Sequence, residues 1–201
     1  MRASYNWLRS LLPDLDASPR SMAERLTRAG LEVEDLVEFG AASPSVVVAE
    51  VARVERHPAR DRLTLVTVER GGAKQTVVCG APNVPPPGGR VVLAPLGTKL
   101  PAVGLTVAAR AIGGIESEGM LCSDNELGLV AAGGKGEGIL ILEPSDGRPG
   151  MPLSEAIAGS HDWIFDIGVT PNRPDALSHV GIARDLATLF EVPLRVPEAD
   201  V

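Results

Sequence analysis

The six aromatic residues of this chain are Tyr5, Trp7, Phe39, Trp163, Phe165 and Phe190, so residues 40–162 contain none. Large aromatic side chains usually anchor cores. Their distribution therefore predicts that the two ends of the chain share one core, while the middle closes a second from Val, Leu, Ile and Ala. The expected division is a small split α/β domain over 1–39 plus 152–201, with 40–151 inserted into it.

The ends read as helices and strands. Ser4 is placed to cap a helix whose Tyr5, Leu8, Leu11 and Leu12 recur at helical spacing before Pro13. A second helix starts either at Ser18 with Pro19 in its first turn, or at Ser21 with Glu24 as a capping box, and Gly30 ends it. Residues 31–39 then alternate, with Leu31, Val33, Asp35 and Val37 on one side. At the far end Trp163, Phe165 and Ile167 alternate in the same way, ahead of a proline-rich turn and a helix carrying Ile182, Leu186, Leu189 and Phe190.

Between them, strands are expected near 46–54, 63–68, 75–79, 90–94, 105–112 and 139–142, separated by Gly and Pro clusters that sit badly in central strands. A five-stranded-type closed β-barrel of the oligonucleotide/oligosaccharide-binding (OB) kind is the economical solution, because closure removes strand edges. The fold class is thus α+β.

Composition excludes several functions. No apolar run is long enough to span a bilayer and no secretory signal opens the chain, so the expectation is a soluble, cytoplasmic protein. Cys79 and Cys122 lie outside any Cys-x-x-Cys spacing and read as reduced small hydrophobes. Residues 131–136 carry glycines and Lys135 at the wrong spacing for a phosphate-binding loop, and a mobile loop is expected there. Spacing reveals no Ser-His-Asp set, activated Cys-His pair or metal-ligand group, so no catalytic residue and no metal site is expected.

The net charge of −7 disfavours nucleic acid as a whole, but it is unevenly spread. Residues 46–115 hold nine basic against four acidic side chains, a net of +5, and 116–151 hold two against seven, a net of −5. Candidate phosphate contacts are Arg53, Arg60, Arg62, Lys74, Arg90, Lys99 and Arg110. Ser117, Glu118 and Met120 join them as residues able either to face RNA or to belong to a barrel strand.

Three motifs carry a resemblance: His57-Pro58 with Asp61-Arg62-Leu63; residues 77–84, from Val77 through Cys79-Gly80-Ala81-Pro82-Asn83 to Val84; and residues 113–123, from Gly113-Gly114 to Ser123. Together they resemble the tRNA-binding barrel of several aminoacyl-tRNA synthetases and free-standing tRNA-binding proteins. Ser4 to Leu8, Ala29 to Glu34, and Thr170-Pro171-Asn172-Arg173-Pro174-Asp175 with the following helix are similar to the N-terminal part of the bacterial phenylalanyl-tRNA synthetase β subunit. Ala59 and Arg62 stand where that family usually has Asn and Lys, and Ala176 where it often has Cys.

The resemblance implies an N-terminal fragment of the β subunit of an enzyme that charges tRNA(Phe) with phenylalanine. In that family ATP and Mg²⁺ serve a centre in the α subunit of an α2β2 tetramer, and editing belongs to a later β domain. The fragment itself then has no cofactor and no catalytic centre, and supplies scaffold and auxiliary tRNA binding. A tRNA-binding or protein-interaction barrel serving no synthetase remains the alternative.

Overall fold

Residues 1–40, 44–130 and 138–197 are described in the computed structural model; the glycine-rich segment 131–136 lies outside them. The chain forms two compact units, 1–39 with 162–201, and 40–161.

In the first unit a three-stranded sheet has the order Arg2–Ser4, His161–Gly168, Glu32–Gly40, so the strand from the far end of the sequence lies at the centre. Helices Tyr5–Leu11, Pro19–Arg28 and His179–Phe190 accompany it. The Ser4 hydroxyl accepts the Trp7 N–H and starts the first helix. Of the two expected starts for the second helix, Ser18 is the one used: its hydroxyl accepts the Ser21 N–H and Pro19 occupies the first turn.

The ends do share a core, but it is mainly aliphatic. Leu8, Leu12, Met22, Leu26, Ile182 and Leu186 surround Phe165 and Ile167. Phe165 is the one fully buried aromatic among the described residues, with Tyr5 and Phe190 at the core margin. Trp7 is 56% exposed, Phe39 is exposed, and Trp163 stays half-buried outside the core. The expectation that the aromatics anchor this core is corrected accordingly. Trp7 faces outward because Leu8 and Leu11 take the buried face of a seven-residue helix, and a neighbour in sequence is rotated by about 100°.

The 31–39 alternation also changes phase. Leu31 is buried and Val33 half-buried, as read from the sequence, but the next inward residue is Leu36, while Asp35 and Val37 are exposed. The Asp35 carboxylate accepts the Leu36 N–H at 2.8 Å, a local side-chain bond that competes with the regular ladder.

The second unit is built on an antiparallel sheet ordered Gly119–Leu121, Arg90–Pro95, Val47–Arg56, Thr64–Arg70, Ala73–Cys79, with Ile141–Leu142 also paired to Arg90–Pro95. Val46-Val47-Val48-Ala49 and Val91-Val92-Leu93-Ala94 are unbroken apolar runs because these strands are buried on both faces. Val47, Ala49, Val91 and Leu93 point into one core with Val66, Val68 and Val77. Val46, Val48, Val92 and Ala94 point into another with Leu100, Val107, Cys122 and Leu127. Two Gly-Gly pairs turn hairpins: Gly71-Gly72 (φ 58° and 90°) joins Thr64–Arg70 to Ala73–Cys79, and Gly113-Gly114 (φ 61° and 86°) joins Arg110–Ile112 to Ile115–Ser117. Positive φ at both central positions matches the right-handed twist of the flanking strands.

The single strand expected over 105–112 is instead two short ones, Leu105–Thr106 and Arg110–Ile112, in separate hairpins. The boundary expected after residue 151 also moves. Residues 152–161 stay with the barrel: the Leu153 N–H donates to the Val46 carbonyl at 2.9 Å, the Leu153 side chain is buried in the second unit, and the Ser160 hydroxyl donates to the Leu153 carbonyl at 3.0 Å. Gly150 offers a turn signal, but the turn it makes is internal to the unit.

Candidate nucleic-acid interface

The loop between Val47–Arg56 and Thr64–Arg70 is held from within by His57. Its ring is buried and both nitrogens are used: Nε2 donates to the Ile112 carbonyl at 2.9 Å, and Nδ1 accepts the Ala59 N–H at 3.1 Å. Gly113 makes this approach possible, since a methyl group there would come within 2.4 Å of the imidazole. The loop bearing Arg60 and Arg62 is thereby fastened to the hairpin bearing Arg110. The sequence signal for this pin was His57-Pro58 together with the Gly-Gly turn, residues that attract no notice as charges.

Ser117 and Glu118 close the barrel. The Ser117 hydroxyl, buried, accepts the Val78 N–H at 3.1 Å and donates to the Gly119 carbonyl at 3.0 Å. Glu118 exchanges backbone and side-chain bonds with the same strand: its N–H donates to the Thr76 carbonyl, its carboxylate accepts the Thr76 N–H at 2.9 Å, and its carbonyl accepts from the Gln75 amide at 2.8 Å. Of the two roles open to these side chains, closure occupies both. Asn83 makes a comparable bridge, donating to the Ile139 carbonyl and accepting the Ile139 N–H, at 2.8 and 2.9 Å.

The basic candidates do not converge on one patch. Arg53 is ion-paired with Glu55 at 2.8 Å and Lys74 with Glu69 at 3.9 Å. Arg90 is half-buried at a strand start opposite Glu50, and Lys99 sits on its own two-residue strand with Leu100. Arg60, Arg62 and Arg110 are exposed and without an ion pair among the described residues. Arg56, at the end of its strand and next to His57, shares these properties although it was not among the candidates. Of the exposed candidates without an ion pair among the described residues, Arg60, Arg62 and Arg110 sit on one loop and one hairpin joined through His57, and Lys99 sits apart on its own strand.

Beside that hairpin runs a groove of about 520 Å³ between residues 78–82, 105–112 and 117–126. Met120 lines it, half-buried, as do Arg110 and Glu126. Cys79 is another lining residue, but burial raises its thiol pKa, and burial with the nearby Glu126 carboxylate pushes Cys122 up to about 12, so both stay unreactive thiols.

The fold of the first unit does bring a serine, a histidine and an aspartate together, which spacing could not foresee. Their wiring is structural. The Ser4 hydroxyl donates to Asp162 and accepts from Trp7, while it is the Ser4 backbone N–H that reaches His179 Nε2, at 3.0 Å. The imidazole meets the backbone N–H and not the hydroxyl, so no serine–histidine–aspartate relay is assembled. Trp7 stacks on the His179 ring with centroids 3.9 Å apart. Burial holds the imidazole below its ordinary value of 6.5, against the opposing field of Asp162.

A depressed pKa on a base means that the unfolded chain takes up the proton first as pH falls. The contribution is full above about 6.5 and is lost as pH drops through the lower folded value. Both tryptophans lie in the first unit, so its unfolding can be followed by their fluorescence alone. The denaturation midpoint should fall between about pH 7.5 and about pH 5, and His179→Gln should flatten that slope. An unchanged slope would remove His179 as its source.

With this geometry in view, comparison with known proteins decides the family. Residues 46–152 match the family described as "Putative tRNA binding domain". The chain belongs to this tRNA-binding domain family. It is also similar, beyond the barrel, to curated proteins named phenylalanine--tRNA ligase beta subunit. One from Syntrophus aciditrophicus is 42% identical over 98% of this chain and 24% of its own length. Others from Salinibacter ruber and Anaeromyxobacter dehalogenans are 43% and 44% identical over 100% and 98% of this chain. The chain spans about a quarter of the length of these relatives. Within the matched residues, Arg56, Arg60, Arg62 and Arg110 are exposed cations without an ion pair among the described residues. Among the described residues no helix is long and apolar enough to cross a membrane, and no cluster of three His, Cys, Asp or Glu side chains could hold a metal ion.

Proposed function

We propose that the chain is part of a phenylalanine–tRNA ligase β subunit, giving the enzyme a scaffold and an auxiliary, charge-driven contact to tRNA(Phe) in the cytoplasm. The observation that carries this reading is the identity above 40% running through both units, and not only through the barrel that free-standing tRNA-binding proteins would share. In this reading the α subunit of an α2β2 assembly supplies phenylalanine activation with ATP and Mg²⁺.

The tRNA contact is assigned to the rim of Arg56, Arg60, Arg62 and Arg110. No aromatic ring lies in the barrel to stack a base, a contact worth about 1–3 kcal/mol each where it occurs. Binding should therefore rest on phosphate contacts and fall in or below the nonspecific range of roughly 10⁻⁴ to 10⁻⁶ M, weakening steeply with salt.

Fluorescence anisotropy with labelled tRNA at low and at physiological salt tests this. The double variant Arg60→Ala, Arg62→Ala should weaken binding and reduce the salt slope by about two phosphate contacts, whereas Arg53→Ala, already paired, should change little. Tight, salt-insensitive binding would overturn the electrostatic account. Absence of binding at low salt would leave the scaffold role alone.

A further inference from the structure

The groove beside the Arg110 hairpin has features that simple phosphate contact does not use. Its floor is apolar, with Val107, Met120 and Ile139, and its volume of about 520 Å³ lies in the range of pockets that enclose a small ligand. Arg110, a cation without an ion pair among the described residues, lines it together with a carboxylate, Glu126. One carboxylate oxygen of Glu126 accepts both the Ser123 N–H, at 2.7 Å, and the Ser123 hydroxyl, at 2.9 Å. These two bonds fix the carboxylate at the groove and leave its second oxygen without a partner among the described residues. The two charges form no ion pair with each other, so a ligand has both to satisfy.

We propose that this groove is a slot for one unpaired nucleotide of the bound RNA: its phosphate meets Arg110, its base lies on the apolar floor, and an exocyclic amino group donates to the open oxygen of Glu126. The proposal rests on the tRNA reading above and adds a base preference to it. A carboxylate accepts from the amino groups of cytosine and adenine, whereas the O4 carbonyl that uracil carries in the same place meets it acceptor to acceptor. The slot compensates for the missing aromatic platform, since enclosure by Val107, Met120 and Ile139 removes the base from water without stacking it.

Titrating CMP, AMP and UMP at millimolar concentration into the full chain, followed by amide chemical shifts, tests the slot separately from tRNA affinity. Expected are shifts at Val107, Met120 and Ile139, several-fold tighter for CMP and AMP than for UMP. Glu126→Gln, whose amide both donates and accepts, should abolish that ratio while the fold is retained. Equal affinity for the three nucleotides, shifts located elsewhere, or a ratio unmoved by Glu126→Gln would overturn the slot. If tRNA binds in the anisotropy experiment and the nucleotides do not, the slot alone falls. Selective nucleotide shifts without tRNA binding would instead sustain the slot and overturn the tRNA reading.

Discussion

Phe165→Ala should destabilise the first unit by about 3–5 kcal/mol, the cost of removing a buried phenylalanine and leaving a cavity that the surroundings fill only in part. Phe165 is fully buried on the central strand of the three-stranded sheet, opposite Ala3 in the register and within reach of Leu and Ile side chains from three helices. It is also the largest of the fully buried side chains. Tryptophan fluorescence should report a strongly lowered denaturation midpoint. The barrel contains no tryptophan and keeps its own two cores, so its amide dispersion should persist where the fluorescence transition is already complete. Simultaneous loss of both signals would show that the units do not fold separately.

Gly181→Ala should cost about 3 kcal/mol, at the upper end of what overpacking produces. Gly181 lies in the first turn of His179–Phe190, and a methyl group on it would stand 1.8 Å from the Asp175 carbonyl oxygen. The obstacle is backbone, and that backbone cannot withdraw easily. Arg173 clamps it with bonds of 3.1 and 2.9 Å to Asp175 and one of 2.7 Å to Asp185 on the same helix. Arg173 thus acts as an internal pin for the Thr170 to Asp175 turn. Releasing the clamp with Arg173→Ala in the Gly181→Ala background should make the double variant less destabilised than the sum of the two single ones. Strict additivity in chemical denaturation would show that the carbonyl does not depend on the clamp.

Much of this fold could be read in the sequence because local chemistry and tertiary packing agree there. Ser4, Ser18 and Pro19 mark helix starts, and the valine-rich runs mark barrel strands. Where the reading failed, packing overrode pattern. Size alone marks Trp7 and Trp163 as core anchors, yet a short helix with leucines at Leu8 and Leu11 leaves Trp7 outside. The site was less legible than the fold. Charge counting selects Arg60, Arg62 and Arg110 together with Arg53 and Lys74, and cannot see that the last two have carboxylate partners at neighbouring strand positions. It gives Glu126 no place, because the groove that Glu126 lines is formed by segments far apart in sequence. Ser117 and Glu118 were noticed for their polarity, which the barrel spends on its own seam.

The contact between Gly40 and Ser160 bears on the order of events during folding. A methyl group on Gly40 would come within 2.0 Å of the Ser160 carbonyl, so the second unit begins and ends at neighbouring points. Before the barrel forms, the strands Glu32–Gly40 and His161–Gly168 are tethered by a loop of about 120 residues; afterwards the same tether spans only a few ångströms. By the logarithmic dependence of closure entropy on loop length, that contraction is worth roughly 3 kcal/mol to the first unit. Each half of the discontinuous sheet is then delivered to the other by the folding of a segment that need not touch it, a form of cooperativity carried by chain connectivity. A variant that unfolds only the barrel should therefore weaken the first unit as well, although no side chain in its core has changed.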